Sequence, residues 1–238
     1  MKLKYGVLTA SIAWMVFLLW YMNRPPKPGP DFDVDPQYLI PPRQTYDPGL
    51  AAAFEQGQRD FWQKPDQVLD VLGDLDGLTV ADIGCGEGYF TLRLLDRVGP
   101  EGTVFATDIQ PDLLDRLAHS VPPEWASRLQ LVLAEGDTIG IEGQVDLIFL
   151  VQVLGEVSHQ RAFLSALSAI MGPTSRLVLI DSKHVTDPKT GYTRPLDQNR
   201  LLADLGSMGL VPDPQIPEEN LQFLPKQFFF VLVKSKPR

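Results

Sequence analysis

The chain has 238 residues, 44% of them hydrophobic and 21% charged, enough for a single core of about one domain. Its formal charge of −9 excludes nucleic acid as the main partner, because tracking phosphates requires a surplus of Lys and Arg. One cysteine, Cys85, excludes an intramolecular disulfide and a cysteine-based zinc site, and His119, His159 and His184 lack metal-ligand spacing, so no metal is expected. In chain order, MKLK precedes Tyr5 to Met22, a run of 18 residues without a charge. At about 1.5 Å per residue this run reaches across a thin bilayer, and Trp14, Trp20 and Tyr21 suit an interface. A signal peptide would end in small residues, whereas this run ends in WYMN. Residues 1–23 therefore read as a transmembrane anchor or an uncleaved signal. Lys2 and Lys4 flank one end and Arg24 and Lys27 the other, a slight bias that favours sending the C-terminal part outward.

Residues 24–48 hold eight prolines in 25 residues and read as an extended, semi-rigid linker. The domain is expected over 49–238. Leu50, Phe54, Gly57 and Phe61 recur at helical spacing. Pro65 opens a second helix, with Val68, Leu69 and Leu72 on one face. Strands and helices then alternate: LTVADI, GYFTLRLLDRV, TVFATDI, PDLLDRLAHS, LQLVLA, VDLIFLVQ, HQRAFLSALSAIM, RLVLID, PLDQNRLLADLGSMG and KQFFFVLVK. Gly209 supplies a helix stop. Continuous apolar strands between helices specify an α/β fold with a parallel sheet covered on both faces.

The stretch DIGCGEGYF, Asp82 to Phe90, lies where the first strand meets its helix. Glycines at 84, 86 and 88 allow a sharp turn and a close ligand, and the helix terminus behind them favours a negative group. A dinucleotide fingerprint would keep the position of Tyr89 small, and tyrosine is bulky. Asp108, ending the second strand twenty residues after Gly88, is placed to accept from ribose hydroxyls.

On these residues the chain resembles the class I S-adenosylmethionine-dependent methyltransferases, in their small bacterial form, from about Glu55 onward. VADIGCGEGYFTLRL resembles the first motif of that family. ATDIQPDLLDRL is similar to its second-strand acid and helix, AEGDT to its third-strand segment, and VDLIFLVQVLGEV to its fourth strand. The resemblance implies a Rossmann-like fold, with a seven-stranded, mostly parallel sheet in the order 3-2-1-4-5-7-6. It implies S-adenosyl-L-methionine as cofactor, with Asp82 orienting a loop of Gly84, Cys85, Gly86 and Gly88. By the same likeness Asp108 holds the ribose and Ile109 meets the adenine. Asp137 accepts from the adenine amino group, Gly136 turns the chain, and Gln152 lies where methionine and acceptor meet.

The residues also permit blander roles: Gly88 in helix packing, Asp137 as a turn cap, Cys85 as a buried filler. Many relatives carry a D-x-x-H-like arrangement after the fourth strand, but here Gln152 and Gly155 stand at those places. Glu156 and His159 are the catalytic candidates that remain. Two functions fit: methyl transfer to an unidentified small-molecule acceptor at a membrane, or a degenerate methyltransferase-like binding or assembly module there. Oligomeric state is not legible.

Overall fold

The computed structural model describes residues 38–41, 43, 59–186 and 193–235. The apolar run Tyr5–Met22, most of the proline-rich stretch and the helical positions Leu50 and Phe54 lie outside the described residues. Among the described residues, no helix is long and apolar enough to cross a membrane.

Helices α1 (Arg59–Gln63) and α2 (Pro65–Val71) lead into the alternating part of the chain. There follow β1 (Thr79–Ile83), α3 (Thr91–Arg97), β2 (Thr103–Asp108), α4 (Pro111–Ser120) and β3 (Leu129–Leu133). Next come β4 (Val145–Val151), α5 (Gln160–Ala169), β5 (Met171–Ser182) and a short hairpin of β6 (His184–Thr186) and β7 (Thr193–Pro195). Helix α6 (Gln198–Ser207), β8 (Leu210–Pro212) and β9 (Gln227–Lys234) complete the fold.

The main sheet runs β3-β2-β1-β4-β5-β9-β8. Counting only its seven strands, this is the expected order 3-2-1-4-5-7-6. The β1–β2, β2–β3, β1–β4 and β4–β5 pairs are parallel, and β9 runs antiparallel to both β5 and β8. Alternation along the strands sends side chains to two cores. Ala81, Ile83, Ile148 and Leu150 pack with Leu164 and Leu167 of α5 and Leu201 and Leu205 of α6. Val80, Leu147 and Phe149 pack with Val68, Leu69 and Leu72 around α2 and with Leu94 and Leu95 of α3. Burial on both faces is why these strands are apolar throughout rather than alternating.

Pro65 starts α2 and Gly209, at φ 79°, follows the end of α6, both as the sequence predicts. Phe61 departs from its expected apolar face, because it is 85% exposed. The hairpin and the three-residue β8 are too short for a periodic signal, and Pro212 suits the edge strand that β8 is.

Part of the proline-rich stretch packs against the domain. Leu39 and Ile40 are buried, and their amides both donate to Oε1 of Gln160, at 2.8 and 2.9 Å. Gln160 Nε2 donates back to the Ile40 carbonyl at 2.8 Å. One buried side-chain amide at the start of α5 thus satisfies three backbone groups of a segment that has no sheet partner.

Candidate active site

At the carboxyl ends of β1, β2 and β4 lies a cleft of about 570 Å³. Ligands enter open α/β sheets at this edge, and the volume suits a small molecule. Three glycines of the β1–α3 loop adopt positive φ, at 67° for Gly84, 57° for Gly86 and 86° for Gly88, but they serve different ends. A Cβ on Gly84 would lie 2.4 Å from Val153 Cγ2, and one on Gly88 would lie 2.3 Å from Leu117 Cδ1. Those two glycines let neighbouring side chains pack. A Cβ on Gly86 would meet nothing within 4 Å, and Gly86 lines the cleft. Gly136 combines the same open space with a φ of 58° on the far wall.

Asp108 ties the loops together. Its Oδ2 accepts from the Gly86 amide and its Oδ1 from the Gln110 amide, both at 2.9 Å. A carboxylate has about four lone-pair sites, so Asp108, which lines the cleft, keeps acceptor capacity beyond these two bonds. Ile109, a large apolar residue left 47% exposed, sits beside it on the same wall. Cys85 donates its amide to the Thr107 carbonyl at 2.9 Å, which ties the loop to β2. Burial pushes its thiol well above the usual range, so Cys85 stays neutral and is a wall residue rather than a nucleophile.

Asp82 is not part of the cleft lining. It is 3% exposed and accepts from the Thr91 hydroxyl at 2.6 Å, which links β1 to the first turn of α3 beneath the glycine loop. Burial raises its carboxyl to about 6, against the opposing effects of the Thr91 bond and the charge of Arg59. Gly88 likewise lies behind the loop, against α4. Gln152 does line the cleft, and it holds a left-handed φ of 61° that is costly for a side-chain-bearing residue. Its amide donates to Ile180 at 2.7 Å, which fixes that turn just past β4.

The two catalytic candidates separate. Glu156 lines the cleft, with its Oε1 3.5 Å from Nε of Arg43. His159 does not line it: its side chain is 78% exposed, and Nδ1 lies 2.9 Å from Asp137 Oδ2. Asp137 lines the cleft and also accepts from the His159 amide at 2.9 Å, at the start of α5. Its carboxylate ties the loop after β3 to the residues that open α5, rather than to the turn around Gly136 and Thr138 that the sequence suggested.

Two contributors have no sequence signal. Arg43 sits in the docked segment and donates its amide to the Gly155 carbonyl at 2.7 Å. Its Nη1 and Nη2 lie 2.5 and 3.3 Å from the two oxygens of buried Asp181. A Cβ on Gly155 would come within 3.0 Å of that guanidinium, which explains glycine here without any special φ. The second is α1, which brings Arg59 and Trp62 onto the cleft.

Residues 80–174 match the family model of a methyltransferase domain. The chain is 26% identical over 132 residues to the demethylmenaquinone methyltransferase of Lactococcus lactis, covering 55% of this chain and 52% of that protein. It is 23% identical over 133 residues to the aklanonic acid methyltransferase DauC of a Streptomyces species, covering 52% of this chain and 60% of that protein. The chain thus spans little more than half the length of these curated relatives. In fold it is similar to a SAM-dependent methyltransferase of Aquifex aeolicus, with a TM-score of 0.66 at 22% identity over 80% of this chain and all of that one.

Proposed function

We propose that this chain is an S-adenosylmethionine-dependent methyltransferase acting on a small-molecule acceptor, a reading supported by the match of residues 80–174 to the family model of a methyltransferase domain. The observation that carries the reading is the pairing of Gly86 with Asp108. The Gly86 amide is held by the strand-end carboxylate, and a Cβ added at Gly86 would meet open space beside the cleft that this glycine lines. That cradle fits a nucleoside: Asp108 would take the ribose hydroxyls, and Ile109, Gly136 and Asp137 would border the base. The curated relatives are named for small acceptors, which supports the substrate class.

S-adenosylmethionine, when bound, supplies a methyl group on a sulfonium and so carries the electrophile itself. The protein then has to orient the partners and keep water away. Glu156, in the cleft wall and braced by Arg43, is the group that would receive a proton from an acceptor hydroxyl. His159, turned to Asp137, is outside that path.

The anchor belongs to the same proposal. A single-pass helix over Tyr5–Met22 would hold the domain at the cytosolic face, where a lipid-soluble acceptor is accessible. A C-terminal reporter active only outside the cytosol would then stay silent, and a signal from it would contradict this placement. The activity itself is tested by supplying methyl-labelled S-adenosylmethionine with lipid and aqueous extracts. Label in a small molecule, dependent on the protein, is expected. No label in any fraction, with no S-adenosylhomocysteine formed, would contradict it.

A further inference from the structure

Arg43 is fixed at both ends. Its backbone amide donates to the Gly155 carbonyl at 2.7 Å, and its Nη1 and Nη2 lie 2.5 and 3.3 Å from the two oxygens of Asp181, buried at the end of β5. Asp181 is itself tied down, because its Oδ1 accepts from the Ser182 amide at 2.7 Å. A guanidinium is planar, so a fork seated end-on against one carboxylate determines where its Nε lies. That nitrogen lies 3.5 Å from Oε1 of Glu156.

The surroundings of Glu156 are shaped for this approach. It closes a single turn, Leu154–Glu156, that follows the left-handed Gln152, and both Gln152 and Glu156 line the cleft. A Cβ on Gly155 would lie 3.0 Å from Nη1 and 3.2 Å from Cγ of Arg43, so glycine is what lets the arginine lie across the turn. Leu154 and Val157, to either side, share one core cluster with Leu39 and Ile40. The segment that carries Arg43 is thus joined to this turn by core packing, a backbone hydrogen bond and an ion pair. It precedes the stretch that matches the family model.

Resting on the reading of Glu156 as proton acceptor above, we propose that Arg43 is the positioning residue for that carboxylate, which makes the docked segment a working part of the active site. Arg43 is not in the cleft lining and acts through Glu156. In the step it serves, the acceptor oxygen gives its proton to a Glu156 oxygen and takes the methyl group, while the bonding pair of the sulfonium stays on sulfur. A cation within about 4 Å keeps Glu156 ionised and ready to accept. Because Asp181 takes both Nη groups, Glu156 meets the cation at one edge only and remains a base.

The test is a mutant cycle on the full chain in detergent, read as label passed from methyl-labelled S-adenosylmethionine to a fixed extract. Arg43→Met combined with Asp181→Asn removes the cation without stranding a buried charge. This variant is expected to lose about 10- to 100-fold in rate at saturating S-adenosylmethionine, the scale of a displaced catalytic group. Its melting temperature and its calorimetric affinity for S-adenosylhomocysteine should stay close to those of the unmodified protein. Glu156→Gln should lose at least as much rate, and in that background the Arg43 and Asp181 changes should cost less than about twofold more. Arg43→Lys keeps a charge for Asp181 with one nitrogen in place of the fork, and a several-fold loss of rate at unchanged S-adenosylhomocysteine affinity is expected. Full rate in either Arg43 variant, or the same loss with and without Glu156, would overturn the proposal. Full rate in Glu156→Gln would instead overturn the proton-acceptor reading on which it rests.

Discussion

Asp137 and His159 are partners of each other. One carboxylate oxygen lies 2.9 Å from both the backbone amide and the ring Nδ1 of the histidine. The relationship separates a role in building α5 from a role in chemistry. His159→Ala is expected to cost no more than about 1 kcal/mol, since an exposed pair contributes little, and to leave methyl transfer intact. Asp137→Ala should cost about as much again through the lost cap, and should also weaken nucleoside binding. Urea unfolding and calorimetry on the two variants read these effects. Loss of turnover in His159→Ala at unchanged affinity would return the histidine to the catalytic set.

Arg43 and Asp181 make the opposite kind of pair. The carboxylate is 1% exposed and the guanidinium 32%, so removing the cation strands a buried charge. Arg43→Met is expected to destabilise the fold by about 3 kcal/mol, the low end for a broken buried pair because the arginine is partly wet. Adding Asp181→Asn should restore most of the loss. Additive losses in the double variant would show that the two side chains do not act as a pair.

The glycine loop offers a clean contrast. Gly88→Ala places a methyl 2.3 Å from Leu117 Cδ1 at positive φ, and should cost about 2–4 kcal/mol of stability. Gly86→Ala meets open space, so its folding cost should be only the roughly 1–2 kcal/mol of the left-handed backbone. Gly86 lines the cleft, so with a methyl there nucleoside affinity should fall at least about tenfold. Thermal melts and titrations of both variants check the pattern, and equal affinity in the two would contradict it.

Asp82 makes stability depend on pH. Its carboxyl is raised from 3.8 to about 6 by burial, so the protonated form is the one the folded state favours. The stabilisation is complete below about pH 4 and is lost as pH rises through 6, by about 3 kcal/mol in total. Subtracting the urea stability of Asp82→Asn, which keeps the shape and cannot ionise, should isolate that decline. A flat difference between pH 4 and 7 would mean that Asp82 ionises at no cost.

The order of strands and helices, the glycine loop and Asp108 were readable because each rests on a local pattern: apolar runs of strand length, glycines at a turn, an acid at a strand end. Arg43 was not. Leu39 and Ile40 have no period and sit among prolines; their side chains join the core beside α5, and their backbone is held by Gln160, 120 residues from Ile40. Arg59 was missed because Phe61 suggested an apolar face at a position that is in fact exposed. Gly88 and Asp82 were placed in the right loop, but only packing distances show that they support it from behind. The role of His159 depends on Asp137, 22 residues earlier in the chain, and no spacing rule joins them.

Calorimetric titration of the full chain beside Asp108→Ala tests whether the cleft holds S-adenosylmethionine by the Asp108 carboxylate. Saturable binding by the unmodified protein is expected, with affinity reduced about tenfold or more in the variant, as the loss of hydrogen bonds to a charged group implies. No heat from the unmodified protein, or equal affinity in the two, would contradict it.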